Sequence, residues 1–169
     1  MKSTLIVGIG DYKVSNNHEI ILKTIALGSC VAVIIFCPKS NNNGMPFNVV
    51  GMAHIALSSS SINPKKAVQQ PAYFADTGIA SLLKLVRKIN PTGKIYAKIA
   101  GGASVLDIGN QTDFFNIGSR NISTVKQLLH AMNIIIMSED TGGHISRTVS
   151  IDIETNRTLI SHKGELWEI

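Results

Sequence analysis

A cysteine and a histidine are the two residues whose types and spacing best support covalent chemistry. Cys30 follows the pair Gly28 and Ser29 at the start of the most hydrophobic run of the chain, and His54 lies in the next apolar segment. A thiol beside an imidazole is a nucleophile–base pair that can attack acyl and amide carbonyls. However, free cysteine is usually a small buried hydrophobe, and a histidine in an apolar strand is commonly a core residue. The pair therefore predicts a hydrolase only if the fold brings the two side chains together.

The segments around Cys30 and His54 predict two antiparallel strands joined by a loop. Residues 31–36 are apolar at every position, which is typical of a strand covered on both faces, and residues 47–57 resume as a strand. If the loop is centred on Asn42, Cys30 lies directly opposite His54, with both side chains on one face. A slip of one residue would place them on opposite faces.

The rest of the chain predicts a single α/β (α+β) domain over residues 1–169. Its mostly antiparallel, mixed β-sheet layers are accompanied by two main helices. An apolar stripe predicts one helix from Pro71 to Asn90, and a second stripe predicts another from about Ser123 to Asn133. Gly28 predicts a sharp turn into Cys30. Further strands are expected at residues 4–10, 20–27, 94–100, 134–137 (buried), 147–153 and 158–162.

Composition and cysteine usage exclude several classes of protein. Lysine and arginine exceed aspartate and glutamate by 16 to 11, so the net charge of +5 favours acidic partners. Aromatic residues are only 5% of the chain, which argues against a base-stacking nucleic-acid surface. The longest apolar run is too short to insert in a membrane, and the N-terminal apolar patch is too short for a secretory signal, so we expect a cytoplasmic protein. If residues 30–37 form one strand, Cys30 and Cys37 are about 23 Å apart, so both are expected to be reduced thiols.

Other familiar sites find little support. The sequence has no C-x-x-C, no H-E-x-x-H and no Cys/His cluster, so no metal site is expected. Gly8-Ile9-Gly10 lacks the lysine and spacing of a phosphate-binding loop, and no cofactor is expected. The pairs Gly101-Gly102 and Gly142-Gly143 predict tight turns. His144 and Arg147 are as consistent with an exposed turn as with a substrate contact.

Five ordered sequence blocks resemble the CheD family of chemotaxis proteins. They span most of the chain and comprise TIALGSCV at 24–31, His54, AKIAGGA at 97–103, NIGSRN at 116–121 and DTGG at 140–143 with Arg147. The resemblance implies a fold like the catalytic domain of cytotoxic necrotizing factor toxins. It implies a protein-glutamine glutaminase that deamidates glutamines of methyl-accepting chemotaxis receptors and also binds the phosphatase CheC. Under the resemblance the nucleophile, base and third residue are Cys30, His54 and Thr24.

The chain departs from the family pattern at three places. Ser58 stands where the family often has proline, Ser146 where glycine commonly precedes the final arginine, and Asn41, Asn42 and Asn43 form an insertion between the cysteine and the histidine. The proline replacement and the insertion bear on the substrate-facing rim, and no departure removes a catalytic group. Two alternatives stay open: a non-catalytic module that binds receptors or CheC, and a thiol esterase of receptor methyl esters.

Overall fold

The hydrophobic run after Cys30 forms the central strand of a five-stranded sheet. Strand β4 (Val31–Cys37) is buried at every position because it is paired on both sides, with β5 (Val49–Ile55) and with β6 (Tyr96–Gly101). The two outer strands are β2 (Tyr12–Ser15) beside β5 and β7 (Ile135–Thr141) beside β6, which gives the order β2-β5-β4-β6-β7. The structure is a computed structural model and describes residues 2–39, 48–104 and 116–169. Phe47 and the insertion of Asn41, Asn42 and Asn43 therefore lie outside the described residues.

A second five-stranded sheet packs against the first. Its order is β1-β3-β8-β9-β10, and its strands are β1 (Ser3–Ile6), β3 (Ile20–Leu27), β8 (Arg147–Asp152), β9 (Thr158–His162) and β10 (Glu165–Glu168). The pairs β1–β3 and β6–β7 are parallel, and the other strand pairs are antiparallel. This arrangement confirms the predicted mostly antiparallel, mixed sheets.

Strand alternation divides the interior into two apolar layers. The even-numbered residues from Ala32 to Phe36 face the second sheet, where they meet Leu22, Leu27 and Val149. The odd-numbered residues of β4 face the helices. These helices are α2 (Ala75–Ile89) and α3 (Ile117–Ala131), whereas the short helix α1 (Pro64–Gln69) contributes no residue to this layer. The fold is therefore sheet, sheet and helices in three layers, which confirms the predicted α+β class with two main helices.

The second main helix begins six residues before the predicted start at Ser123. Asn116 caps α3, since its side chain accepts a hydrogen bond from the Ser119 amide. The first turn contains Gly118, which packs directly against the carbonyl of Gly102 and leaves no room for a Cβ. Because the first turn of α3 packs against backbone atoms, it has no apolar stripe. The prediction from apolar periodicity therefore missed it. At the other end Asn133 has a φ of 55°, the left-handed conformation that commonly follows a helix.

The strand predicted at 134–137 is present as β7, but the prediction that it is buried was wrong. Strand β7 lies at the edge of its sheet, where Ile135 is 60% and Met137 58% exposed. A run of apolar residues does not say which strand is central. Ile134 and Ile136 pack on the helix layer, and ordinary strand alternation turns Ile135 and Met137 outward. Sequence analysis also missed the short strand β2. None of the helices in the described parts of the chain is long and apolar enough to cross a membrane. The likeness to the toxin catalytic domain stays a prediction.

Candidate active site

Thr24 and His54 meet between the two sheets. β3 turns Thr24 inward, β5 turns His54 inward, and both side chains are buried, at 0% and 1% exposure. The Thr24 hydroxyl Oγ1 lies 2.7 Å from His54 Nδ1 and donates a hydrogen bond of 2.7 Å to the carbonyl of Val7. One threonine hydroxyl therefore connects the imidazole to the backbone that follows β1.

These two contacts fix the tautomer of the neutral imidazole. A hydroxyl has one hydrogen, and the carbonyl of Val7 can only accept, so that hydrogen lies between Thr24 and Val7. The contact between Thr24 and Nδ1 then needs a hydrogen on Nδ1. The ring of His54 is consequently an Nδ1–H imidazole whose Nε2 carries a lone pair.

His54 Nε2 is buried and has no hydrogen-bond partner in the part of the chain that the structure describes. Burial lowers the pKa of His54 from 6.5 to about 4, and the Val7 carbonyl opposes this shift only in part. At neutral pH the ring is therefore uncharged, and Nε2 is available to accept a proton.

Cys30 lies in the turn between β3 and β4 and belongs to neither strand. β3 has a register shift between Thr24 and Leu27, and within it Ala26 has a φ of 57°, a left-handed conformation that an alanine rarely adopts. A bulge of this kind re-aims the residues that follow it. The side chain of Cys30 is half-buried and packs against the apolar layer between the two sheets, the layer that His54 also faces.

The expected pairing of Cys30 directly opposite His54 was wrong. The residue opposite His54 is Ala32, and by the same register Cys30 would face Ala56. The sequence argument assumed a loop centred on Asn42, whereas the observed register is two residues away. Because the shift is even, it leaves the two side chains on the same side of the sheet, as diagonal neighbours.

The thiol of Cys30 is neutral at rest, like the imidazole. Desolvation raises its pKa, and no cationic group is among the causes of the shift. The two side chains that share this layer are therefore a thiol and a neutral base rather than a preformed thiolate–imidazolium pair. Such a thiol becomes a nucleophile only when the base removes its proton during attack.

The carbonyls around Cys30 are held by the loop that follows β6. The amide of Gly102 donates to the Cys30 carbonyl at 2.7 Å, and the amide of Ala103 donates to the Gly28 carbonyl at 2.8 Å. Gly101 has a φ of 110°, and a Cβ there would collide with the Cys30 carbonyl oxygen. The prediction of a tight turn at Gly101-Gly102 was wrong, because Gly101 is the last residue of β6 and no turn follows it. The pair instead places backbone directly against the Cys30 turn.

Arg147 supports this loop from inside the protein. Its guanidinium donates to the Gly142 carbonyl at 2.9 Å and the Ile145 carbonyl at 3.1 Å, and it forms an ion pair with Asp140 at 2.8 Å. The Gly142 amide in turn donates to the Gly101 carbonyl at 2.8 Å. Arg147 is only 5% exposed, so the reading of this residue as part of an exposed turn was wrong.

His144 and two of the departures from the family pattern, Ser58 and Ser146, make no contact with the Arg147 guanidinium among its hydrogen bonds within the described residues. His144 is exposed, and its Nδ1 donates to the Ser104 carbonyl at 3.0 Å. Ser58 is 8% exposed, so its side chain is not part of an exposed rim. The Ser146 carbonyl accepts a hydrogen bond of 2.7 Å from His162.

Cys37 packs in a different layer of the fold from Cys30. Both cysteines are free, so the predicted absence of a disulfide between them is confirmed. Cys37 faces the helix layer, where its sulfur accepts a hydrogen bond of 2.9 Å from the Asn90 amide. It is therefore a packed core residue, as expected. In addition, no group of three or more His, Cys, Asp or Glu side chains in the described ranges is arranged to hold a metal ion.

Comparison with known proteins agrees with the sequence blocks. The family model described as CheD chemotactic sensory transduction matches residues 56–162. The chain is 41% identical over 161 residues to a probable chemoreceptor glutamine deamidase CheD 1 of Syntrophus aciditrophicus, covering 95% of this chain and 94% of that protein. This chain belongs to the CheD family.

Other members extend the similarity over nearly the whole chain. The probable chemoreceptor glutamine deamidase CheD of Syntrophotalea carbinolica is 40% identical over 171 residues, which covers 99% of each chain. The chemoreceptor glutamine deamidase CheD of Thermotoga maritima is 36% identical over 160 residues, covering 94% of this chain and 92% of that protein. The family model begins after His54, so these full-length relatives extend the CheD similarity over the segment with Thr24, Cys30 and His54.

Proposed function

We propose that this CheD protein is a chemoreceptor glutamine deamidase. It hydrolyses the side-chain amide of selected receptor glutamines in the cytoplasm, which leaves glutamate and releases ammonia. The observation that carries the proposal is the buried, unpartnered Nε2 of His54, whose tautomer Thr24 fixes and whose face of the sheet Cys30 shares. The names of the full-length relatives supply the substrate class.

The first half of the reaction transfers the acyl group to Cys30. His54 Nε2 takes the thiol proton while the sulfur forms a bond to the amide carbon, whose π electrons move to oxygen. The resulting imidazolium then gives that proton to the amide nitrogen. The carbon–nitrogen bond breaks, ammonia leaves, and a thioester between Cys30 and the former glutamine remains.

The second half hydrolyses the thioester. His54 Nε2 is neutral again and removes a proton from water as the water oxygen attacks the thioester carbon. The carbon–sulfur bond breaks, and the proton returns from His54 to the sulfur. The product is glutamate, and Cys30 and His54 regain their starting protonation states.

Backbone amides of the Cys30 turn are suited to stabilise the oxyanion. In a planar trans peptide the carbonyl and the following N–H point in opposite directions. The carbonyls of Gly28 and Ser29 are drawn toward Ala103 and toward the side chain of Asn121, at 2.8 and 3.0 Å. The amides of Ser29 and Cys30 therefore point away from these anchors, which is the orientation an oxyanion site needs.

Thr24 takes the position that a carboxylate occupies in other triads. Its hydroxyl accepts from Nδ1–H and keeps the imidazole in the tautomer that presents a lone pair at Nε2. A hydroxyl carries no negative charge and stabilises the imidazolium less than aspartate does. We therefore expect a modest rate of turnover, which suits a protein that modifies a few sites on another protein.

Two other functions remain alternatives for this protein. A methylesterase would use the same Cys30 and His54 on receptor methyl esters, and a binding module would act by occupying receptors or CheC. The deamidase is favoured over the binding module because the lone pair on a buried, unpartnered Nε2 has no structural use. CheC as a partner belongs to the proposal through the family alone.

One incubation separates the three. A receptor cytoplasmic fragment carrying both glutamine and methylated glutamate is incubated with the wild-type protein, and ammonia and methanol are measured. The proposal predicts ammonia, with amide-to-acid mass shifts at glutamines. Methanol without ammonia would establish the esterase, and binding without either product would establish the binding module.

A further inference from the structure

Strands β4, which follows Cys30, and β5, which carries His54, separate at their ends. The β4–β5 ladder stops at the pair Val31 and Ile55, although the next pair in register would be Cys30 and Ala56. Instead, the Cys30 carbonyl accepts from Gly102, and the Ala56 amide donates to the Tyr73 carbonyl at 3.0 Å. The two backbones are thus drawn apart, toward opposite neighbours, next to the thiol and the imidazole.

Asn121 of α3 spans this gap. Its side-chain Nδ2 donates to the Ser29 carbonyl at 3.0 Å and to the Ala56 carbonyl at 2.8 Å. Ser29 precedes the nucleophile by one residue, and Ala56 follows the base by two. The side chain is 1% exposed, so both bonds are shielded from water.

The orientation of the Asn121 amide is determined by its partners. Both contacted atoms are carbonyl oxygens, which only accept, so the nitrogen must face them and both of its hydrogens are used. A buried amide with two fixed backbone partners has little rotational freedom. It acts as a clamp of constant length between the turn of Cys30 and the strand of His54.

We propose that Asn121 is a positioning residue that sets the approach of the Cys30 thiol to His54 Nε2. Its consequence for turnover rests on the proposed deamidase function, but its effect on the thiol does not. Without the clamp the two strand ends relax independently, and displacements near 1 Å between reacting groups are known to cost about a hundredfold in rate.

The test is the isosteric variant Asn121→Asp, which keeps the shape and removes the donors. We expect kcat for receptor deamidation to fall about ten- to hundredfold with KM changed less than about twofold, because the substrate surface is untouched. A second readout needs no substrate. Iodoacetamide alkylation of Cys30, followed by peptide mapping across pH, is compared with that of a His54→Gln variant. Alkylation of Asn121→Asp is expected to follow the slower profile of His54→Gln.

Asn48 provides a matched control. It is also a buried asparagine, 5% exposed, whose Nδ2 donates to two backbone carbonyls, those of Ile153 and Glu154, each at 2.7 Å. It lies at the opposite end of β5 from His54. Asn48→Asp is expected to lower the melting temperature as Asn121→Asp does, but to leave the Cys30 alkylation profile at that of the wild type.

The outcomes separate this inference from the proposed function. If the wild-type protein releases no ammonia but the Cys30 profile of Asn121→Asp matches that of His54→Gln, the deamidase proposal fails and the clamp stands. If Asn121→Asp retains the wild-type profile, as Asn48→Asp is expected to do, the clamp is refuted. Should the buried carboxylate prevent folding, Asn121→Ala removes the donors without adding charge, and the same comparison decides.

Discussion

The role of Thr24 gives the most specific prediction, since one substitution removes its hydroxyl without changing its shape. In Thr24→Val, the hydrogen on His54 Nδ1 and the Val7 carbonyl both lose their buried partner. An unsatisfied buried polar group costs about 1–3 kcal/mol, so we expect the free energy of unfolding to fall by about 2–6 kcal/mol. The imidazolium that forms during attack loses a charge-assisted hydrogen bond of about 1.5–3 kcal/mol, which corresponds to about a ten- to 150-fold fall in kcat.

Thr24→Ser is the matched control because it keeps the hydroxyl and removes only a methyl group. Ammonia release from a receptor fragment gives kcat for both variants, and urea unfolding gives their stability. We expect Thr24→Ser to retain kcat within about threefold of the wild type. Equal kcat for Thr24→Val and the wild type, or equal losses in the valine and serine variants, would refute the assignment of the tautomer to this hydroxyl.

Three further predictions concern pH, backbone packing and charge. The pKa of His54 is lowered to about 4 in the folded protein, so the unfolded chain binds the proton first as the pH falls. About 3 kcal/mol of the free energy of unfolding is therefore lost between pH 6.5 and pH 4. Urea unfolding across this pH range measures the loss, and we expect His54→Gln to abolish it. Gly101→Ala places a Cβ against the Cys30 carbonyl, and we expect it to lower the free energy of unfolding in urea by at least about 2 kcal/mol. Gly164 has a φ of 91° and open space around it, so Gly164→Ala is expected to cost only the backbone strain. Equal losses of stability in the two variants would refute the contact. Replacing the exposed Lys84 and Lys88 of α2 with glutamate is expected to lower kcat/KM several-fold at low salt and to leave kcat unchanged. The difference in kcat/KM should vanish near about 1 M salt, and a loss that persists at that salt concentration would contradict electrostatic steering.

Cys30 and His54 could be proposed as nucleophile and base from the sequence because both lie in or beside strongly patterned segments. The apolar run of β4 identified the strand that follows Cys30, and the length of that strand separated Cys30 from Cys37. The register was wrong, because a loop with polar residues contains no local signal for the position of its turn. The register error was two residues, an even number, so it left Cys30 and His54 on the same face of the sheet. The hypothesis that they act together therefore survives, although a different residue lies opposite His54.

The residues that hold the site together were beyond local patterning. Thr24 came only from family resemblance, since nothing around it indicates that its hydroxyl meets a histidine from another sheet. Asn121 gave no signal, because its partners, the carbonyls of Ser29 and Ala56, are distant in sequence. Arg147 is buried by its own network rather than by apolar neighbours in sequence. Asn121 and Arg147 appeared in the sequence only as members of the resembling blocks, without a catalytic role.

The central claim is that Cys30 forms the bond to the receptor glutamine. The most direct measurement is peptide mapping of a receptor fragment after incubation with wild-type protein, Cys30→Ala and Cys37→Ala. Cys37 is the matched control because it is a free cysteine that packs on the opposite face of β4. We predict amide-to-acid conversion at the same glutamines with the wild type and with Cys37→Ala, and none with Cys30→Ala. Conversion that persists in Cys30→Ala would contradict the account.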